Sequence, residues 1–208
     1  MLSPDQFFGF LAAAVLITAS PGPDNLMVLG MGISQGRRQG VAFGLGCALG
    51  CLSHTALAVA GVSALIAASP IAFTALKVGG GLYLVWLGVH ALRSRGRIEL
   101  GQARDEGQPL LRLFLKGVVA NAINPKVVLF FLSFLPQFVD TARGDVAWQL
   151  AALGVVFTAQ AALLFSLLGL FAGSIGQWLG RRPRAGLWLD RLAGAVFVGL
   201  GLRLIVAR

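Results

Sequence analysis

Residues 40–76 read GVAFGLGCALGCLSHTALAVAGVSALIAASPIAFTAL, an apolar stretch without a single Asp, Glu, Lys or Arg. As one α-helix this stretch would be roughly 55 Å long, whereas the hydrocarbon core of a bilayer is about 30 Å thick. The stretch therefore has to turn, and we expect the turn at Ala67-Ala68-Ser69-Pro70, where proline disfavours a continuing helix. Its two halves predict two membrane-spanning helices, at about 40–66 and 71–92.

The composition of the whole chain agrees with this interpretation. Of its 208 residues, 57% are hydrophobic and only 12% are charged, and the mean hydropathy is +0.81. So few charges could not cover the surface of a soluble globule, and so much apolar surface excludes a disordered chain. Residues 1–6 contain no Lys or Arg, so we interpret the apolar run 7–19 as a retained first membrane segment rather than a signal peptide.

The same pattern predicts four further spans, giving an all-α membrane protein of six transmembrane helices. Two spans are interrupted by polar residues and proline, one at residues 20–25 and the other at Asn124-Pro125-Lys126. The remaining predicted segments are about 7–33, 113–139, 147–179 and 187–206.

The distribution of positive charge predicts the orientation of these spans. The net charge is +9, but the basic residues form short clusters between apolar runs, which is typical of a membrane protein and not of a nucleic-acid-binding one. Alternating the turns places twelve Lys and Arg on one side and three on the other. Because positive residues stay inside, we expect the polar linker 93–112 in the cytoplasm and the N-terminus in the periplasm.

The two halves of the chain repeat one order of elements. In each half an interrupted apolar segment is followed by two further segments, and the stretch from Lys77 to Tyr83 is similar to that from Arg191 to Phe197. Repeats of three spans each must be inverted in the membrane, an arrangement typical of secondary transporters. We therefore predict repeats at 1–93 and 113–208, joined by a cytoplasmic linker at 94–112.

The first interruption places an acid deep in an apolar segment. Pro21, Gly22 and Pro23 break the helix, with Gly22 as the cap and Pro23 as the first residue of the new helix. Asp24 follows in the first turn, where the helix dipole favours an anion. A charge inside a membrane costs about 2.5–3.5 kcal/mol, so we favour a functional role for Asp24 over a capping role.

The second interruption places a cation at the start of a helix. Asn124 is the predicted cap, Pro125 the first helical residue, and Lys126 follows where a cation opposes the dipole. The structural alternative is a lysine that reaches towards the membrane interface. The functional interpretation is a site for an anion such as a substrate carboxylate.

The two breaks of an inverted pair converge near the membrane midplane, so we predict one site between them. Lys126 would hold the carboxylate of an amino acid, and Asp24 its ammonium group or a proton. Asn25, Asn121 and Asn124 would add hydrogen bonds. The competing interpretation is a salt bridge between Asp24 and Lys126 without a ligand.

These motifs resemble the lysine exporter (LysE) superfamily, in particular its homoserine/threonine exporter (RhtB) branch. The resemblance spans the chain and rests on the segments Ser20–Asn25, Gly32–Gly40, Leu82–Gly88, Asn121–Lys126 and Leu135–Phe138. It implies a multi-pass protein of the bacterial inner membrane that exports an amino acid, driven by the proton gradient. It implies no enzymatic activity and no cofactor, and it is compatible with a homo-oligomer.

A second cluster leaves two other functions open. Cys47, Cys51 and His54 lie on one face of a predicted helix, and thiolate and imidazole suit a soft metal. The alternatives are thus a cation or heavy-metal exporter and a membrane thiol redox carrier. We favour a packing role, because the helix offers no fourth ligand and the chain has no Cys-x-x-Cys motif.

Overall fold

The computed structural model describes residues 2–62, 64, 69–94 and 108–206, and within these ranges it is helical, with no β-strand. Within the described ranges nine α-helices follow one another, numbered here in chain order. They are α1 (Pro4–Ala19), α2 (Pro23–Ser34), α3 (Arg37–Leu57), α4 (Pro70–Arg93), α5 (Leu110–Ala122), α6 (Pro125–Leu129), α7 (Val146–Leu170), α8 (Ala172–Arg181) and α9 (Pro183–Val206).

The first predicted break separates α1 from α2, which meet at an angle of 56°. Ser20 ends α1, and Gly22 is the extended residue before α2, with φ −169°. Pro23 is the first helical residue, where its missing N–H costs nothing. The break, its cap and its proline are therefore as predicted.

The second predicted break separates α5 from α6, with a bend of 51°. The side chain of Asn124 caps α6 by accepting a hydrogen bond of 3.1 Å from the backbone N–H of Lys126, and Pro125 follows the cap. Beyond α6 the chain continues as a π-helical turn, Phe130–Phe134, and a 3₁₀ turn, Leu135–Phe138. The predicted interruption of this segment is confirmed.

Three helices in the described part of the chain are long and apolar enough to cross a membrane by themselves, at Arg37–Gly61, Ile71–Arg93 and Val146–Leu170. Counting each bent pair as one span raises the number to five. The sixth predicted segment lies within α9, which carries Asp190, Arg191 and Arg203 and does not meet the same criterion. A multi-pass helical protein is thus established, and the sixth span stays a prediction.

The fifth predicted segment, 147–179, is not one helix. α7 ends at Leu170, and Phe171 leaves the helical conformation with φ −96° and ψ 8° before α8 begins. The prediction of one segment was wrong because it followed the uncharged run 147–179, whereas the end of the helix depends on how α8 packs against α2.

At the predicted turn at 67–70, Ser69 caps α4 by accepting a hydrogen bond from the backbone N–H of Ala72, while residues 65–68 lie outside the described part. Most of the predicted linker, 95–107, lies outside it too.

Close helix contacts explain the glycines of α3. A side chain at Gly46 would overlap the backbone carbonyl of Phe114 in α5, and one at Gly44 would lie 2.9 Å from Phe165 in α7. Small residues let membrane helices approach so closely. In α4, Gly81 and Gly88 pack against α9 in the same way, whereas a side chain at Gly79 would meet no described residue within 4 Å. α3 is therefore the central helix, between α5 and α7.

Candidate functional site

One cavity lies where the two breaks meet, between α1, α2, α3, α5, α6 and α7. All five predicted site residues line it: Asp24, Asn25, Asn121, Asn124 and Lys126. Gly22, Thr18 and Cys51 add to the polar side, and the apolar wall consists of Ile17, Val127, Phe130, Phe157 and Phe165. The fold thus brings together residues that are about 100 positions apart in the chain.

Asp24 lies at the start of α2 with only 4% of its surface exposed. Its Oδ2 accepts a hydrogen bond of 2.7 Å from the side-chain amide of Asn121. Its Oδ1 is buried and has no partner among the residues that the structure describes. A buried carboxylate oxygen without a donor is costly, so Asp24 has unused capacity to accept a hydrogen bond.

Lys126 is 8% exposed and reaches back across the first break. Its ammonium donates a hydrogen bond of 2.9 Å to the backbone carbonyl of Ser20 and lies 5.1 Å from the centre of the Phe197 ring. Gly22 leaves room for it, since a Cβ there would be 3.1 Å from the ammonium nitrogen. The ammonium group has three N–H donors and makes one hydrogen bond, so two donors are left for another partner.

Asp24 and Lys126 do not form a direct ion pair. The salt bridge found in the described part of the chain joins Arg143 to Asp140 at 3.0 Å, and both side chains are exposed. The salt bridge that we considered as the alternative to a ligand site is therefore not formed. Both charged groups line the same cavity without touching. Such an arrangement keeps two opposite charges available at one place.

Cys51 and His54 contact the same cavity wall through Asn121. The Cys51 thiol donates to the side-chain oxygen of Asn121 at 3.5 Å, and His54 Nε2 donates to the backbone carbonyl of Asn121 at 3.0 Å. Cys47 is buried in the core. Within the described ranges no group of three His, Cys, Asp or Glu side chains is placed to hold a metal ion. These residues position Asn121 and pack α3 against α5.

Four contacts in this region were not anticipated from the sequence. Gln160 donates a hydrogen bond to the Thr18 hydroxyl at 2.8 Å, and Asn25 donates one to the Thr18 carbonyl at 2.8 Å. The other two are the contacts of Lys126 with the Ser20 carbonyl and with the Phe197 ring. Gln160 could have been found, because a buried amide inside the apolar helix α7 is as unusual as Asp24. A main-chain carbonyl and a phenylalanine carry no such signal.

The cavity is nearly closed. About 20 Å³ of it can hold the centre of a water molecule, where a single water needs roughly 10–15 Å³ by that measure. A second cleft, of about 260 Å³, shares Thr18, Asn25 and Phe165 with it and runs along the C-terminal half of α7 to Phe171 and Ile175. The described state therefore leaves no space for an amino acid in the centre, and Phe165 lines both the centre and the wider cleft.

The family model "LysE type translocator" matches residues 15–208. The threonine efflux protein of Escherichia coli strain K12 is 33% identical over 198 residues, covering 93% of this chain and 94% of that protein. The leucine efflux protein of Klebsiella pneumoniae is 29% identical over 199 residues, covering 96% and 94%. A protein of Vibrio cholerae described as a membrane protein is 33% identical over 211 residues, covering 97% of each chain.

No solved structure matches the chain. The family match covers nearly the whole sequence, including both breaks and every residue that lines the central cavity. The resemblance noted from the sequence motifs is thereby confirmed, and with it a transmembrane transporter rather than an enzyme. The chain belongs to the LysE family of translocators.

Proposed function

We propose that this translocator exports an amino acid across the bacterial inner membrane, in exchange for protons. The observation that carries the proposal is the pair Asp24 and Lys126. A buried carboxylate and a buried ammonium line one cavity, do not touch each other and retain unused hydrogen-bonding capacity. The relatives named for threonine and leucine efflux support the substrate class.

An amino acid is complementary to this pair because it carries both charges. Its carboxylate would bind the Lys126 ammonium, and its ammonium group would bind the free Oδ1 of Asp24. Asn25, Asn121 and Asn124 would orient these groups, and the apolar wall would contact the side chain. The charges of the substrate thereby compensate two charges whose burial is otherwise costly.

Proton coupling follows if substrate and proton compete for Asp24. An ionised Asp24 binds the substrate ammonium, and a protonated Asp24 does not. Binding of one ligand then weakens the other by the same factor, which is the reciprocity that exchange requires. A proton that enters from the periplasm would release the substrate outwards and let the empty carrier return.

We further propose six spans in two inverted repeats, 1–93 and 113–208, with 94–112 between them. The similar bends of 56° and 51° at the two breaks support this architecture. So does the contact between α4 and α9, the helices of the third predicted span in each half, where Gly81 approaches Gly201 and Gly88 approaches Gly194. At both places a glycine of one helix faces a glycine of the other, which lets the two helices pack closely.

We propose that the wider cleft between Thr18 and Phe171 is the cytoplasmic entrance. In the orientation predicted from the basic residues, α7 runs from the periplasm to the cytoplasm, so its C-terminal half lies on the cytoplasmic side. At the opposite end Gln149 bonds to Gln6, Asp140 and Gly144 and holds α1 against α7. Substrate would then pass Phe165 to reach the central cavity.

The test is transport in membrane vesicles by the variants Asp24→Asn and Lys126→Gln, first with threonine and leucine as substrates. Asp24→Asn should abolish export driven by a proton gradient, while exchange of substrate across the membrane can survive. Lys126→Gln should mainly weaken substrate binding. Lys116→Gln is the matched control, because this lysine lies on α5 and is exposed.

Two results would contradict the site at matched protein levels. One is proton-driven export of wild-type size by Asp24→Asn. The other is restored export in the charge-swapped double variant Asp24→Lys with Lys126→Asp, because a salt bridge survives such a swap and an oriented substrate site does not.

A further inference from the structure

A third cleft, which shares no residue with the central cavity, lies where the chain turns from α8 into α9. Its volume is about 620 Å³, and it is lined by Trp178, Arg182, Arg184, Trp188, Leu189 and Leu192. None of these residues takes part in the proposed transport site. The cleft combines two arginines, two indole rings and an apolar floor.

The two indole rings are exposed, and each lies beside an arginine. Trp178 is 46% exposed and Trp188 is 61% exposed. The guanidinium of Arg182 lies 5.5 Å from the centre of the Trp178 ring, and that of Arg191 lies 5.8 Å from the centre of the Trp188 ring. Stacking on an aromatic ring orients a guanidinium and leaves the N–H donors at its edge free to bind another group.

The charge at this turn is strongly positive. Arg181, Arg182 and Arg184 lie within four consecutive positions, and Arg191 adds a fourth cation next to the Trp188 ring. The acid nearby is Asp190, which accepts a hydrogen bond of 2.5 Å from the Ser94 hydroxyl at the end of α4. The surface is therefore complementary to an anion.

The position along the chain places this surface at a membrane boundary. The apolar span of α7 ends at Leu170, α8 follows, and α9 begins at Pro183. Exposed tryptophans concentrate at the level of the lipid headgroups, and basic clefts between transmembrane helices bind anionic headgroups there. Leu189 and Leu192 give the cleft an apolar part beside its two arginines.

We propose that this cleft binds an anionic phospholipid, with its phosphodiester on Arg182 and Arg184 and an acyl chain along Trp188 and Leu192. Two cations and an apolar floor match both parts of such a lipid, whereas a soluble anion would use only the arginines. The inference is independent of the transport proposal, because it involves no residue of the central cavity.

The experiment measures lipid binding by the purified protein in nanodiscs of phosphatidylcholine into which phosphatidylglycerol is titrated, with retained lipid counted by native mass spectrometry. Arg182→Gln with Arg184→Gln should weaken binding about 30-fold, which corresponds to about 1 kcal/mol for each arginine near an anionic surface. Arg182→Lys with Arg184→Lys should have an intermediate effect, since the charge remains and the planar contact with Trp178 is lost.

The control is Arg37→Gln with Arg38→Gln, which removes the same charge from the exposed first turn of α3, a segment without tryptophan. It should bind phosphatidylglycerol like the wild type. An equal loss in this control would show general charge attraction and overturn the site. Inorganic phosphate at millimolar concentration should not displace the lipid; displacement would assign the cleft to a soluble anion instead. If the glutamine variant does not fold, the lysine variant against the same control decides the question.

Discussion

Asn121 donates a hydrogen bond of 2.7 Å to Asp24 and thereby joins the two halves of the chain at their breaks. Asn121 lies in the last turn of α5, and Asp24 in the first turn of α2. The other polar groups of Asn121 hold Cys51 and His54 of α3. One asparagine therefore sets the position of the buried carboxylate against the central helix.

Replacement of Asn121 by alanine should impair transport more than stability of the helices around it. Asp24 would lose its one side-chain donor, and leaving a buried group without a partner costs about 1–3 kcal/mol. We expect amino-acid efflux from vesicles to fall about tenfold or more. Ser53→Ala, which removes a hydroxyl that bonds only within α3 at 2.7 Å, should transport normally. Normal efflux by Asn121→Ala would show that the bond is not needed.

The thiols of Cys47 and Cys51 should be dispensable for amino-acid efflux. Cys51 makes one weak hydrogen bond to Asn121, which a serine hydroxyl can replace, and Cys47 is packed in the core. We expect Cys47→Ser with Cys51→Ser to retain most of the amino-acid efflux and to leave metal tolerance of the cells unchanged. Complete loss of efflux at normal expression would instead favour the metal or redox alternatives.

Gln149 should contribute strongly to stability. Its amide donates to the carbonyls of Asp140 at 2.9 Å and Gly144 at 2.7 Å, and its oxygen accepts from Gln6 and the Asp140 N–H. Gln149→Leu would leave several of these groups unpaired, so we expect a loss of about 3 kcal/mol. Thermal unfolding in detergent measures this loss, with Thr158→Val as the control on α7. Equal melting temperatures for the two variants would contradict the prediction.

Adding one methyl group should have different effects on stability at Gly46 and Gly79, two glycines that both lie inside apolar helices. At Gly46 it would overlap the Phe114 carbonyl, so Gly46→Ala should force α3 from α5 and destabilise the protein by about 1–3 kcal/mol. The methyl group of Gly79→Ala meets no residue of the described part within 4 Å, so this change should be neutral or stabilising by up to about 1 kcal/mol. Folded yield and melting temperature report both effects. The packing argument is wrong if the two variants behave alike.

The predicted orientation can be read from two exposed positions. Single cysteines at Ala142, in the turn before α7, and at Gly180, near the end of α8, are introduced into the variant without Cys47 and Cys51. An impermeant thiol reagent should label position 142 in intact cells and position 180 only after the cells are opened. The reverse pattern would invert the topology and would place the proposed entrance on the periplasmic side.

The sequence by itself determined the class of protein and the places where its helices break. Long stretches without charge predict membrane helices because a bilayer imposes one length and one polarity. Gly22-Pro23 and Asn124-Pro125 predict their own breaks and caps because these effects act within one helical turn. Asp24 and Lys126 were recognisable as candidates because charges inside apolar segments are rare.

The tertiary structure alone decided what these residues contact. The sequence left open whether Asp24 pairs with Lys126. In the structure Asp24 accepts a hydrogen bond from Asn121. Lys126 instead contacts the Ser20 carbonyl and the Phe197 ring. The continuous helix predicted over 147–179 failed for the same reason, since its end depends on where α8 packs. Such contacts join residues far apart in the chain, and their geometry arises only when the helices pack against one another.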